Sequence, residues 1–178
     1  MALTTYFYQF LRQTEVAPLR FYTAMLSACW SSTTVCRLWG IWDQQRVPFA
    51  HYRVLFHRCE CFLAVGALAL GLFLLYIDEA TLWTVLVVYG VANGPLLGYV
   101  FDLNNRLTVA TAKGTAILKF GFNMGSSLCP YLVGVSWHHY HYPLSVFDGV
   151  FLTMLVPLLL FLIARVLARR LSAECAAL

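Results

Sequence analysis

The stretch FLAVGALALGLFLL, residues 62–75, carries no charged or hydrogen-bonding side chain, and it decides the class of fold. It lies inside a longer apolar run, Val54 to Ile77, of roughly the 20 residues that take a helix across a bilayer. Four other runs share this character: Leu19 to Ile41, Ala80 to Phe101, Gly114 to Trp137 and Leu144 to Leu167. The expectation is an all-α, polytopic membrane protein with five transmembrane helices.

The joints between these runs orient the chain. Arg46 and Arg53 lie in the first, Asp78 and Glu79 in the second, and Arg106 and Lys113 in the third. The fourth is the charge-free HHYHYP of residues 138–143, and Arg169 and Arg170 follow the last run. Basic residues remain on the cytoplasmic side, so the N-terminus is expected outside and residues 168–178 form a cytoplasmic tail. The segment from Met1 to Pro18 holds Tyr6, Phe7, Tyr8 and Phe10, aromatics of the kind that favour the membrane interface. It reads either as an outer interfacial helix or as the remnant of a preceding helix. Without a basic region followed by an apolar core and a small-residue site, a cleaved signal peptide is not expected there.

Of the 178 residues, 61% are hydrophobic and 11% charged, whereas soluble domains are about a quarter charged. The formal charge of +4 sits in the joints and tail, where it meets anionic lipid headgroups; no nucleic-acid partner is expected. Cys29, Cys36, Cys59, Cys61 and Cys129 fall inside the runs and act as small apolar residues, with Cys175 in the tail, so no structural disulfide is expected.

The runs differ in texture. The first is the most polar, with Thr23, Ser27, Ser31 and Thr34 close to one helical face, a pattern that serves either tight packing or a solvated pathway. The second is the best candidate for a lipid-facing helix. Gly90, Gly94, Pro95 and Gly98 interrupt the third, and Gly121, Gly125, Pro130 and Gly134 the fourth, so both are expected inside a bundle. The fifth carries Pro157 at its middle and Arg165, Arg169 and Arg170 as snorkelling anchors.

In this order the signals resemble the last five helices of a major facilitator superfamily transporter. Leu26-Ser-Ala-Cys-Trp-Ser-Ser-Thr-Thr-Val-Cys-Arg-Leu38 is similar to the eighth helix of the branch that includes sodium-dependent glucose transporters, with Cys36 where the family has glycine. Gly40-Ile-Trp-Asp-Gln-Gln-Arg46 is similar to the superfamily's cytoplasmic loop motif, one residue short and without its second glycine. Gly90-Val-Ala-Asn-Gly-Pro-Leu-Leu-Gly98 resembles the tenth helix; Lys113-Gly-Thr-Ala116 with the stretch from Gly121 to Gly134 resembles the eleventh. Ser126 and Ser127 stand where related carriers often place an acid.

The resemblance implies a substrate held between two six-helix repeats, of which this chain has part of one. It is expected to form a wall of a solute pathway, with sugar as the candidate solute, that needs a complementary half or a second copy. Its partners are then the lipid bilayer, that bundle and a small polar solute. The alternative is a non-transporting scaffold or regulatory subunit derived from a transporter half.

Residues that could line the pathway are Ser27, Trp30, Ser31, Thr34, Tyr89, Asn93 and Asn123. The amides of Asn93 and Asn123 can bind sugar hydroxyls or join helices, and Trp30 and Tyr89 offer aromatic platforms. Arg37, Asp43, Arg46 and Lys113 form a cytoplasmic gating set. Within it, Asp43 and Arg46 are expected to latch near the start of the fourth span, where Lys113 and the helix dipole favour an anion. Arg58 and Glu60 read as interfacial charges. Neither His138, His139 and His141, which lack a matched second ligand group, nor Ser126 and Ser127, which lack a base in a later span, suggest chemistry. No enzyme activity, metal or cofactor is expected.

Overall fold

The computed structural model describes residues 2–47, 52–107, 112–140 and 145–177, and among them no strand occurs. The helices are α1 (Ala2–Thr14), α2 (Tyr22–Arg46), α3 (Tyr52–Leu75), α4 (Glu79–Leu107), α5 (Ala112–Tyr140) and α6 (Ser145–Ala177), with a 3-10 turn at Leu19–Phe21 leading into α2. Among the described residues, three stretches are long and apolar enough to cross a membrane: Arg53–Leu75, Glu79–Arg106 and Val146–Ile163. In α2, the run Ser31-Ser-Thr-Thr34 and Arg37 dilute the apolar content.

Two boundaries differ from the sequence reading. Asp43 and Arg46, expected in a loop, stand on the last turns of α2 because nothing before Pro48 breaks the helix. Val47 ends it with extended backbone, φ −85° and ψ 115°, the conformation that a following proline imposes. The expected tail is likewise helical through Ala177, since Ala, Arg and Leu dominate it and all favour helix. At the start of α4, Asp78 is the N-cap. Its Oδ1 accepts from the Thr81 amide at 2.5 Å and from the Thr81 hydroxyl, and these bonds hold the carboxyl below its ordinary range.

Helix α4 lies between α2 and α3, α3 lies between α4 and α6, and α5 packs on α6. The α2–α4 seam is built from glycines at four-residue spacing. A Cβ added at Gly94 would come 2.6 Å from the Thr33 carbonyl and 3.1 Å from the Arg37 amide; one at Gly90 would come 2.5 Å from the Cys29 carbonyl. From α2, Gly40 returns the fit against Pro95, where a Cβ would meet another at 2.7 Å. Small residues of this kind let two backbones approach closely in an apolar setting. Thr33, buried in the seam, donates to the Cys29 carbonyl at 2.8 Å and so satisfies its hydroxyl within its own helix.

The expected lipid-facing helix, α3, is instead clasped on two sides. Leu55, Cys59, Leu63, Ala67, Leu70 and Phe73 form its buried stripe, and Gly66 sits against Ala92 of α4 and Met154 of α6. A helix apolar on all faces gives no pattern by which to tell inside from outside; here the small residues decide. Conversely α5, expected inside the bundle, is peripheral. Nothing lies within 4 Å of a Cβ added at Gly121 or Gly125, and Ile117, Phe120, Met124, Leu128 and Tyr131 are exposed.

Helix α1 closes one end of the bundle. Phe7 and Phe10 are fully buried. The Phe10 ring lies 6.2 Å from Phe73 and 4.9 Å from Phe147, Phe7 lies 5.9 Å from Tyr22, and Tyr6 stacks on Trp137 at 6.2 Å. Those partners come from the start of α2, the end of α3, the start of α6 and the end of α5, so α1 spans the mouth they surround. Glu15 then leaves α1 in the left-handed region, φ 53°, as helix C-termini commonly do.

Candidate functional site

The end of the bundle opposite α1 gathers buried and half-buried charges from α2, α3, α4 and α6. Asp43 Oδ2 receives the Arg58 guanidinium of α3 and, at 2.7 Å, the Tyr99 hydroxyl of α4. One carboxylate thus joins three helices. Tyr99 is fully buried and stacks on Phe62 at 5.9 Å; Phe62 in turn meets the Trp39 ring of α2 at 6.3 Å. This aromatic wall keeps water from one side of the ion pair, which strengthens it.

A single turn of α3 carries both attachments. Glu60, 6% exposed, accepts from Arg165 Nη1 of α6 at 2.7 Å, and His57 Nδ1 lies 3.5 Å from the same oxygen. Arg58 therefore reaches toward α2 and α4 while Glu60 reaches toward α6. A third connection runs between α4 and the end of α2: Arg106 bonds Asp102 at 3.0 Å and donates to the Val47 carbonyl at 3.2 Å. A charge inside an apolar helix is costly enough to demand a partner, and Arg58 and Glu60 each find one within the chain.

The gating residues separate. Asp43 faces Arg58 and Tyr99, whereas Arg46 lies over the Trp42 ring, 3.4 Å from its centroid, a cation–π contact. The Lys113 side chain, the other half of the expected latch, lies outside the described residues. Arg37 is exposed and makes no ion pair among the described residues. Tyr99 and Arg58 hold Asp43, and Glu60 pairs with Arg165, in an arrangement that the sequence reading assigns to Arg37, Asp43, Arg46 and Lys113. The cost of burying Arg58 and Glu60 was the available signal for two of them; Tyr99 had none.

The pathway residues also divide. Ser27, Trp30, Ser31 and Thr34 form one exposed stripe on α2, opposite the face that meets the α4 glycines. Thr34 bonds the Trp30 carbonyl at 2.8 Å. On α4, Tyr89 and Asn93 are half-buried. Asn123 is exposed on α5. Packing therefore uses Cys29, Thr33 and Gly40 on α2, and leaves the hydroxyl row uncovered. Among the histidines, His138 is exposed; the His139 side chain and His141 lie outside the described residues.

No protein-family model, curated protein or solved structure matches this chain.

Proposed function

We propose that the chain is a five-crossing, integral membrane half-bundle, similar to the C-terminal half of a major facilitator carrier, that forms one wall of a polar-solute pathway. A complementary bundle or a second copy completes it. The observation that carries this reading is the division of α2 into two faces. One is locked to α4 through Gly90, Gly94 and Gly40, while the other presents Ser27, Trp30, Ser31 and Thr34 outward. Thr34 bonds the Trp30 carbonyl of its own helix, whereas the Ser27 and Ser31 hydroxyls gain little from lipid tails and suit a neighbouring helix or a water-filled pathway. The ion pairs at Asp43 and Glu60 support the same reading, since they give the wall a rigid end about which it can move as a unit.

The test is reconstitution of the 178-residue chain in liposomes, with Ser27→Cys and Ser31→Cys variants cross-linked across the α2 face. Cross-linking between chains, together with saturable uptake of a small polar solute by the associated form alone, is the expected outcome. Saturable uptake by a demonstrated monomer overturns the need for a second bundle. Association without uptake of any solute favours a scaffold.

A further inference from the structure

We infer that the corner between α1 and α5 is a binding site for a small hydroxylated carboxylate. Two cavities of about 500 and 530 Å³ share His138 as a lining residue, each of the size that holds small ligands. Tyr6, Tyr131 and Gly134 line the first, and Gln9, Arg12, Gln13 and Trp137 the second.

The helical period builds this corner. Gln9, Arg12 and Gln13 fall at positions i, i+3 and i+4, on one face of α1, and all three are exposed. The opposite face is Phe7, Phe10 and Leu11, no more than 2% exposed, which sets the rotation of the helix and aims the polar triplet away from the core. Trp137, 6% exposed, forms a fixed wall against which Tyr6 stacks with its plane tilted by 23°. Gly134 is required beneath Tyr6, because a Cβ there would collide with the phenol hydroxyl.

The lining selects a ligand class. Arg12 supplies the permanent charge, and among the described residues no acid lines either cavity, so an anion is favoured. Its planar fork matches a carboxylate through two parallel bonds. The Gln9 and Gln13 amides both donate and accept, as hydroxyl groups require. A neutral polyol forgoes the charge-assisted bonds of the guanidinium, and a purely apolar ligand forgoes both amides. The inference rests on the proposed function only in taking this corner as the outward mouth of the pathway; the binding stands without transport.

Calorimetry of the full chain in detergent, titrated with glucuronate and with glucose, tests it. Saturable glucuronate binding is expected, about tenfold or more tighter than glucose, since a lost charge-assisted bond costs roughly that factor. Arg12→Gln and, independently, Gln9→Leu each weaken glucuronate by about tenfold, while helical circular dichroism stays unchanged and the distant Thr84→Val binds as the parent does. No saturable glucuronate binding, equal affinity for glucose, or full affinity in either folded corner variant overturns the inference. Because chain association and liposome uptake are read separately, loss of the corner site with those intact leaves the proposed function standing.

Discussion

The Tyr99 hydroxyl on α4 donates to Asp43 Oδ2 on α2 at 2.7 Å, the same oxygen that receives Arg58 of α3. Asp43 is therefore the shared acceptor of two helices, and its removal strands a guanidinium while the removal of Tyr99 strands nothing charged. Asp43→Asn is expected to cost about 2 kcal/mol and Tyr99→Phe about 1 kcal/mol, from the cost of orphaning a charge against that of losing one hydrogen bond. The double variant should lose less than the two combined, because both act through one carboxylate. Unfolding midpoints in one detergent measure this; equal losses for the single variants would show that Asp43 is not the centre.

The glycines of α4 and α5 predict opposite responses to the same substitution. Gly94→Ala forces a methyl group onto the Thr33 carbonyl and Arg37 amide, which can yield only by moving α2, at about 1–3 kcal/mol. Gly121→Ala meets open space and gains up to about 1 kcal/mol from helix propensity. Thermal stability of the two variants, compared with the parent, should move in opposite directions.

Phe10 is the keystone of the α1 end, with Phe73 and Phe147 against its ring. Phe10→Ala is expected to cost about 3 kcal/mol through lost contacts and the cavity left behind. Amide hydrogen exchange should then rise across α1. Unchanged protection would mean that α1 does not depend on this plug.

Asp78 links the start of α4 to pH. Its carboxyl titrates below the ordinary value because the charged form accepts from Thr81, so it supports the helix start fully above the unfolded value of about 3.9. The support fades as pH falls from there through the lower folded value. Asp78→Ala should destabilise the chain near neutral pH, and the gap between variant and parent should close in acid. A gap that persists at the lowest pH would remove the charged cap from the account.

The orientation has its own test. Cysteines introduced at Ala80 and Ala168 should react with an impermeant thiol reagent from opposite faces of a sealed vesicle, because basic joints remain in the cytoplasm. Reaction of both from one face would defeat the five-crossing topology.

Much of the candidate site was legible only as a list of parts. Asp43 and the hydroxyl stripe of α2 stood out because polar groups are conspicuous in apolar runs. The partners did not: Tyr99 lies 56 positions from Asp43 and Arg165 lies 105 from Glu60, and no local period connects them. The corner at α1 was harder still, since Gln9 and Arg12 become a site only when Trp137 and His138 arrive from α5.

The sequence by itself determined the helical class and the approximate extents of the apolar helices, because both follow from local apolar length; the ends of α2 and α6 run past those apolar runs. Tertiary structure alone decided which apolar helix is central. Gly90 and Gly94 of α4 meet the α2 backbone, whereas Gly121 and Gly125 of α5, at the same four-residue spacing, meet open space. A glycine stripe permits close approach without specifying a partner, and the partner is chosen by the sum of contacts along both helices, a quantity that no single stretch contains.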